Sequence, residues 1–289
     1  MKILVSGEHG FLCQRLMAQL ELEGSITSFY LSRSPGVANS FRVVDYDLTD
    51  LYGEEQLDDI DVLVHIAGYI PEPENGGSYN ECVDANVGYT QQLVDFSIAK
   101  KIPKFIFISS FAIFEGILSG DINDDSVPAP LTRYSQSKLS AEHLVLASRN
   151  RFANGVSVLR PAFIYGKGMK LYRMIPFFIG ELSTGNDLLV HAAERSIELS
   201  YVGDVCKAII NSLHAKEQAN IVNLVNEVVS KKDVVATLKN KLHSYSEVTY
   251  KSDVTNVGVS RNICSLRYLE LLGDGSASKF SQTCDEMLL

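Results

Sequence analysis

The chain has 289 residues, 46% hydrophobic and 21% charged, with a formal net charge of −9. That apolar content supports a large core and one or two lobes, and the acidic balance offers no basic footprint for nucleic acid or an anionic membrane surface. No apolar run approaches the roughly 18 residues that a spanning helix requires. The start reads directly into a strand, without a basic-then-apolar leader. Five cysteines (Cys13, Cys82, Cys206, Cys264 and Cys284) lie far apart with no CxxC pair. They fit free thiols in a reducing compartment better than a disulfide framework or a zinc site, so a cytoplasmic protein without a metal centre is expected.

Short apolar runs alternate with helical patterns. The predicted strands are Lys2–Ser6, Ile26–Leu31, Phe41–Val44, Asp61–Ile66, Lys104–Ser109 and Val156–Leu159. The predicted helices are Gly10–Glu23, Tyr79–Lys100 and Tyr134–Asn150, with another near Gly203–His214. Near-continuous apolar strands separated by helices predict an α/β fold with a doubly wound parallel sheet covered on both faces. The Pro- and Asp-rich stretch Gly120–Pro130 reads as a loop over the site. The expected division is a dinucleotide-binding domain over 1–165, with 192–230 returning to it. A small substrate-binding lobe is expected from 166–191 and 231–289.

After the first strand comes Gly7-Glu8-His9-Gly10-Phe11-Leu12-Cys13, leading into a helix. Glycines permit a tight turn and close approach of backbone N–H groups to a pyrophosphate at the positive helix N-terminus. Cys13 stands where a third glycine would let helix pack on strand. The second strand ends Tyr30-Leu31-Ser32-Arg33-Ser34, with no carboxylate for an adenosine ribose hydroxyl. Ser32 and Arg33 suit a 2′-phosphate instead, which favours NADP(H) and leaves NAD(H) open. Asp47 after the third strand reads either as an acceptor for the adenine amino group or as part of a helix start capped by Thr49 or Asp50.

Tyr134 and Lys138 stand four apart and share a helix face. A tyrosine hydroxyl titrates near ~10 in water, and a nearby ammonium favours the phenolate. Such a pair moves a proton to or from a carbinol or ketone while a nicotinamide exchanges hydride.

With these residues the chain resembles the extended short-chain dehydrogenase/reductases, in the branch of nucleotide-sugar epimerases, dehydratases and reductases. The matching segments are Gly7–Gly10, Asp47-Leu48, His65-Ile66-Ala67-Gly68, Asn86–Thr90, Ile108-Ser109-Ser110, Tyr134–Lys138 with Glu142, Leu159–Gly166, and Arg195 through Tyr201–Val205. They cover roughly 1–226 in family order. The resemblance implies a Rossmann fold with Ser110, Tyr134 and Lys138 as the catalytic set. It implies cofactor contacts from Gly7, His9, Gly10, Phe11, Leu12, Ser32, Arg33, Asp47, Leu48, Ile66, Ala67, Gly68, Asn86 and Ser109. Pro161, Phe163 and Ile164 would pass under the nicotinamide. Substrate contacts would come from Tyr69, Ser110, Phe111, Ala112 and, for a diphosphate, Arg195, with Lys167, Lys170, Arg173 and Arg261 as reinforcement. His65 reads as a packed residue rather than a catalyst.

Several positions depart from the family pattern. Cys13 replaces the third glycine, Phe114-Glu115-Gly116 stands for the usual Tyr-Gly, and Ala162-Phe163 lacks the common Asn. Phe111-Ala112 replaces the Asp-Glu pair of the dehydratases, so elimination of water lacks its obvious catalyst. The expected activity is hydride transfer at the carbonyl or carbinol of a nucleotide-linked sugar, leaning to an NADPH-dependent 4-keto-sugar reductase. The alternatives are a 4-epimerase retaining NAD, a reductase of a non-sugar ketone or aldehyde, and a non-catalytic dinucleotide-binding protein. The family commonly pairs through two helices, so a homodimer through Tyr79–Lys100 and Tyr134–Asn150 is expected.

Overall fold

A computed structural model describes residues 1–71, 79–215, 219–252, 260–273 and 276–288. Its centre is a seven-stranded sheet in which every pairing is parallel. In spatial order the strands are Ala219–Leu224, Val156–Pro161, Lys104–Ile108, Val62–His65, Lys2–Ser6, Thr27–Ser32 and Ser40–Arg42. The chain therefore winds outward in both directions from Lys2–Ser6, and the order reverses between that strand and Val62–His65. In doubly wound sheets this switch point opens a crevice at the carboxyl ends of the strands.

Burial on both faces explains the near-continuous apolar strands. Ile3, Leu4 and Val5 are all fully buried. Ile3 and Val5 pack with helices Phe11–Leu20, Val202–Ser212 and Leu266–Leu272, while Leu4 packs with Tyr89–Ala99 and Arg133–Ala147 on the other face. This alternation is the period of two in a strand. Cys13 lies in the first of these cores beside Leu16 and Cys206. Its thiol is pushed up to about 12 by burial, then by the Glu8 and Cys206 charges. A side chain this small still lets the helix sit close to the sheet.

Three differences from the predicted elements have local causes. The predicted helix over 79–100 is broken by a wide turn at Asp84–Gly88 between helices Tyr79–Val83 and Tyr89–Ala99. The third strand stops at Arg42, before Asp45 and Tyr46 take positive φ of 47° and 64°. The seventh strand, Ala219–Leu224, was not predicted, because Asn220 and Asn223 interrupt its apolar pattern.

A separate core joins Ile175, Phe178 and Leu182 of helix Met174–Thr184 to Val234, Val235 and Leu238 of helix Lys231–Lys241, with Phe280 and Cys284. Segment 231–289 thus divides its packing. Tyr268 and Leu272 belong to the core under the large sheet, whereas Phe280 belongs to the smaller one. Strand Ser260–Ile263 pairs with Ser119–Ile122, which overlaps the start of the stretch expected to be a loop, Gly120–Pro130.

Candidate active site

Strand Lys104–Ile108 is buried throughout and delivers Ser109 and Ser110 to the crevice. Ser110 is 8% exposed, and its hydroxyl accepts from the Ala112 amide at 3.2 Å. It also lies close enough to the Tyr134 hydroxyl to favour its charged form. Helix Arg133–Ala147 carries Tyr134 in its first turn and Lys138 one turn later. The buried Lys138 ammonium donates to the Ile108 carbonyl at 2.7 Å and lies 4.5 Å from the Phe107 ring centroid. A Cβ built on Gly68 would fall 3.6 Å from Lys138 Nζ and 3.2 Å from Asn86 Oδ1, so these three expected residues meet.

The electrostatics correct one expectation. Burial raises the Tyr134 hydroxyl above its ordinary value, and Cys82 adds to this; the neighbouring Ser110 hydroxyl and, more weakly, the Arg173 charge pull it down. Lys138 is itself desolvated, with its ammonium held on the Ile108 carbonyl. Burial brings Lys138 down to about 7, against an opposing pull from Glu142. Desolvation outweighs the i, i+4 attraction that the spacing suggested.

Two acids that position this set carried no role in the sequence reading beyond motif membership. Glu115 accepts from the Leu131 amide at 2.8 Å and from the Thr132 amide and Ser135 hydroxyl, clamping the start of the Tyr134 helix. Burial works to raise its carboxyl, but the hydrogen bonds from Ser135, Thr132 and Leu131 prevail and hold it below the ordinary value. Glu142, on the Lys138 face one turn on, accepts from Ser109 at 2.9 Å and from Nε and Nη2, one edge of the Arg160 guanidinium. A signal for Glu115 existed in its replacing the usual pattern after Phe114, but its partners lie at least 16 residues away along the chain.

At the nucleotide end, Gly7 has φ +96°, and a Cβ there would sit 2.9 Å from the Ala67 amide nitrogen. Only glycine fits that turn and its approach to Ala67. Gly10 begins helix Phe11–Leu20, whose first turn carries no acid, leaving amides free for an anion. These features fit a dinucleotide. Phe11 borders Gly166 and Gly168, and Ile66 and Ala67 are half-buried beside the turn. His9 is exposed, with its Nε2 2.5 Å from the Ser34 carbonyl oxygen. Ser32 is buried and accepts from the Ser34 amide at 3.2 Å, while Arg33 is exposed. Asp47 is exposed and accepts from the Thr49 amide and hydroxyl, opening the short helix Thr49–Gly53. Leu12, Leu48 and Phe111 place their side chains in the core, which leaves their backbone for the expected contacts.

Around the remaining mouth, Tyr69 donates its amide to Asn86 Oδ1 at 2.7 Å. Ala112 is half-buried. Pro161 closes its strand opposite Leu224, and Phe163 and Ile164 follow as half-buried residues. Lys170 and Arg173 lie 5.7 and 5.5 Å from the Tyr172 ring centroid. Arg195 is exposed at the foot of strand Ser196–Tyr201, where its charge is felt by Lys231. Arg261 is taken up by Glu198 and the Phe114 carbonyl.

Residues 3–225 match the model of the NAD dependent epimerase/dehydratase family. The dTDP-D-glucose 4,6-dehydratase of Mus musculus is 23% identical over 77% of this chain and 67% of its own length. The uncharacterized protein y4nG of Sinorhizobium fredii is 27% identical over 57% of this chain, which spans only 41% of that protein. Among solved structures, UDP-N-acetylglucosamine 4-epimerase from Bacillus cereus superposes with a TM-score of 0.83 at 26% identity, covering 100% of this chain and 95% of that one. MoeE5 in complex with UDP-glucose and NAD reaches 0.85 at 21% identity, covering 100% and 97%. With its parallel sheet and the Ser110, Tyr134 and Lys138 cluster at the switch point, the chain belongs to the NAD-dependent epimerase/dehydratase family of enzymes.

Proposed function

We propose that the protein epimerises a nucleotide-linked sugar at a carbinol carbon with a retained NAD. The observation that carries this reading is Ser110 close enough to the Tyr134 hydroxyl to lower it, on the face of the helix that also carries Lys138, with buried Phe111 and half-buried Ala112 where a dehydratase-type acid pair would stand. The Gly7 turn, Ala67 and Gly68 would hold the dinucleotide, and Lys138 its nicotinamide ribose. A bound nicotinamide accepts a hydride and can return it. Tyr134 takes the hydroxyl proton as the sugar carbon is oxidised and gives it back on reduction. Ser110 holds the sugar oxygen within reach of that proton, and Arg173 moderates the charge on the phenol.

Affinity for the substrate comes from its diphosphate. Lys170 and Arg173 around Tyr172 suit it better than Arg195, because Arg173 also acts on Tyr134. The lobes follow the two cores: 1–165 with 192–230 and the Leu266–Leu272 helix for the dinucleotide, and 166–191 with 231–251 for the substrate. Five free cysteines, four of them buried, favour a reducing, cytoplasmic setting. The reductase reading using NADPH rests on exposed Arg33 and is the second choice.

Assembly is read differently from the expected four-helix homodimer. The outer positions of the two helices are Glu81, Asp84, Gln91 and Asp95 on one and Gln136, Ser140 and His143 on the other. Among the described residues, the exposed large apolar side chains lie elsewhere. A single copy is the expected state in light scattering, and a stable dimer held by these helices would overturn this part.

The test is turnover of UDP- and dTDP-hexoses, together with identification of any dinucleotide released on denaturation. Tyr134→Phe should lower epimerisation by about 10²- to 10⁴-fold while leaving dinucleotide binding intact. Turnover of none of these sugars, or Tyr134→Phe at full activity, overturns the proposal.

A further inference from the structure

Glu8 occupies the middle of the glycine turn, yet it is only 1% exposed. Its carboxylate reaches across to the segment after the second strand. One oxygen accepts from the Gly36 amide at 2.9 Å, and the other accepts from the Ser40 hydroxyl at 2.7 Å. Neither donor carries a charge, and Glu8 makes no ion pair among the described residues. The negative charge is felt on the same side of the sheet, where it raises Cys13 and Tyr30. A buried carboxylate with only neutral partners is costly, so its placement calls for a reason.

Glu8 joins the glycine turn to the loop that leaves the second strand and to the start of the third, the side of the sheet on which an adenosine ribose lies in this fold. The acid usual at the end of the second strand is absent, and Ser32 stands there instead. We propose that Glu8, supplied from the glycine turn, is the specificity-determining carboxylate that excludes a 2′-phosphate and makes the site select NAD over NADP. The inference rests on the reading of the Gly7 turn as a dinucleotide site.

The competing charges are Arg33 and Arg42, both exposed. Charges in water are screened within about 10 Å at 0.1 M salt, whereas buried charges are screened far less. The internal carboxylate therefore outweighs the solvated cations at a phosphate placed between them. Because Glu8 is covered, it acts through its field on the site rather than through contact with the ribose.

The test is calorimetric binding of NAD⁺ and NADP⁺ to the full chain, wild type and Glu8→Gln, each first stripped of any retained dinucleotide and refolded. Glutamine keeps an acceptor for Gly36 and a polar group for Ser40 while removing the charge. Wild type should bind NAD⁺ at least about tenfold tighter than NADP⁺. Glu8→Gln should close that gap by about tenfold, through tighter NADP⁺ binding. An unchanged ratio in Glu8→Gln overturns the proposal and leaves Glu8 as a staple between turn and loop, with the functional reading intact. If Glu8→Gln does not fold, the wild-type comparison still decides, with Arg33→Ala alongside. NADP⁺ bound more tightly than NAD⁺, and lost in Arg33→Ala, assigns the choice to Arg33 and sinks the role of Glu8. Binding of neither dinucleotide overturns this inference and the functional reading together.

Discussion

The side-chain amide of Asn86 donates to the Ser137 hydroxyl at 2.9 Å, tying the wide turn at Asp84–Gly88 to helix Arg133–Ala147. Ser137 passes its own proton to the Tyr134 carbonyl at 2.8 Å. On the other side, the Asn86 carbonyl accepts from the Thr90 hydroxyl at 2.6 Å. Thr90 therefore has only lone pairs left for His65 Nε2, at 2.9 Å. That places the His65 proton on Nε2, so Nδ1 accepts from the Ser6 hydroxyl at 2.7 Å. Ser6 in turn accepts from the Ile66 and Ala67 amides. A directed chain thus runs from the Ile66 and Ala67 amides to the backbone of Tyr134.

This chain predicts a histidine that stays neutral. Burial, then the Lys138 charge, drives His65 well below its ordinary value. Nitrogen NMR should find the Nε2–H form across about pH 5–8. Since the unfolded chain takes up this proton near ~6.5 and the folded one resists it, stability present above ~6.5 is lost as pH falls. His65→Phe should flatten that acid limb. A doubly protonated ring at pH 6 would contradict the assignment.

Lys138 has the opposite pH window. Its folded value of about 7 lies below the ordinary 10.5, so the burial penalty is complete below pH 7. Between 7 and 10.5 the unfolded chain binds more protons, and stability should rise with pH by up to about 1.4 kcal/mol per unit. Denaturant titrations at pH 7, 8 and 9 should show this rise in wild type and its loss in Lys138→Met. Parallel slopes would show that the amine is solvated.

Glu142 and Arg160 form a buried pair, 1% and 4% exposed at their side chains. Glu142→Ala strands the guanidinium and should cost about 3–5 kcal/mol in urea unfolding. Glu142→Leu combined with Arg160→Met should recover much of that loss, because neither charge of the pair remains buried. A double variant as unstable as the single would place the cost in packing instead.

Glu115 acts at the start of the Tyr134 helix. Glu115→Ala should remove about 1–2 kcal/mol of stability, the scale of a lost helix cap. Turnover should fall while dinucleotide affinity holds, since the turn at Gly7 is untouched. Its carboxyl is held below the ordinary 4.5, so the stabilisation is present above about that pH and fades as pH drops through the folded value. Unchanged kcat would leave it a purely structural cap.

Local periodicity and motif spacing were enough to read the parallel sheet, the Gly7 turn and the Ser110, Tyr134 and Lys138 set, because each depends on residues near in sequence or on a pattern of burial. Strand Ala219–Leu224 escaped because its two asparagines mimic loop chemistry until Asn223 meets the Asp124 carboxylate and the Asn123 carbonyl. The state of Tyr134 was likewise out of reach: the spacing to Lys138 is local, but desolvation depends on everything packed around the pair. Only tertiary structure brought Glu8 to Gly36 and Ser40, and Glu115 to Leu131, since such partners are 16 to 32 residues away and no periodicity marks them. Chain-local free energy decides which elements form, and the low dielectric of the assembled core decides which charges act on the site.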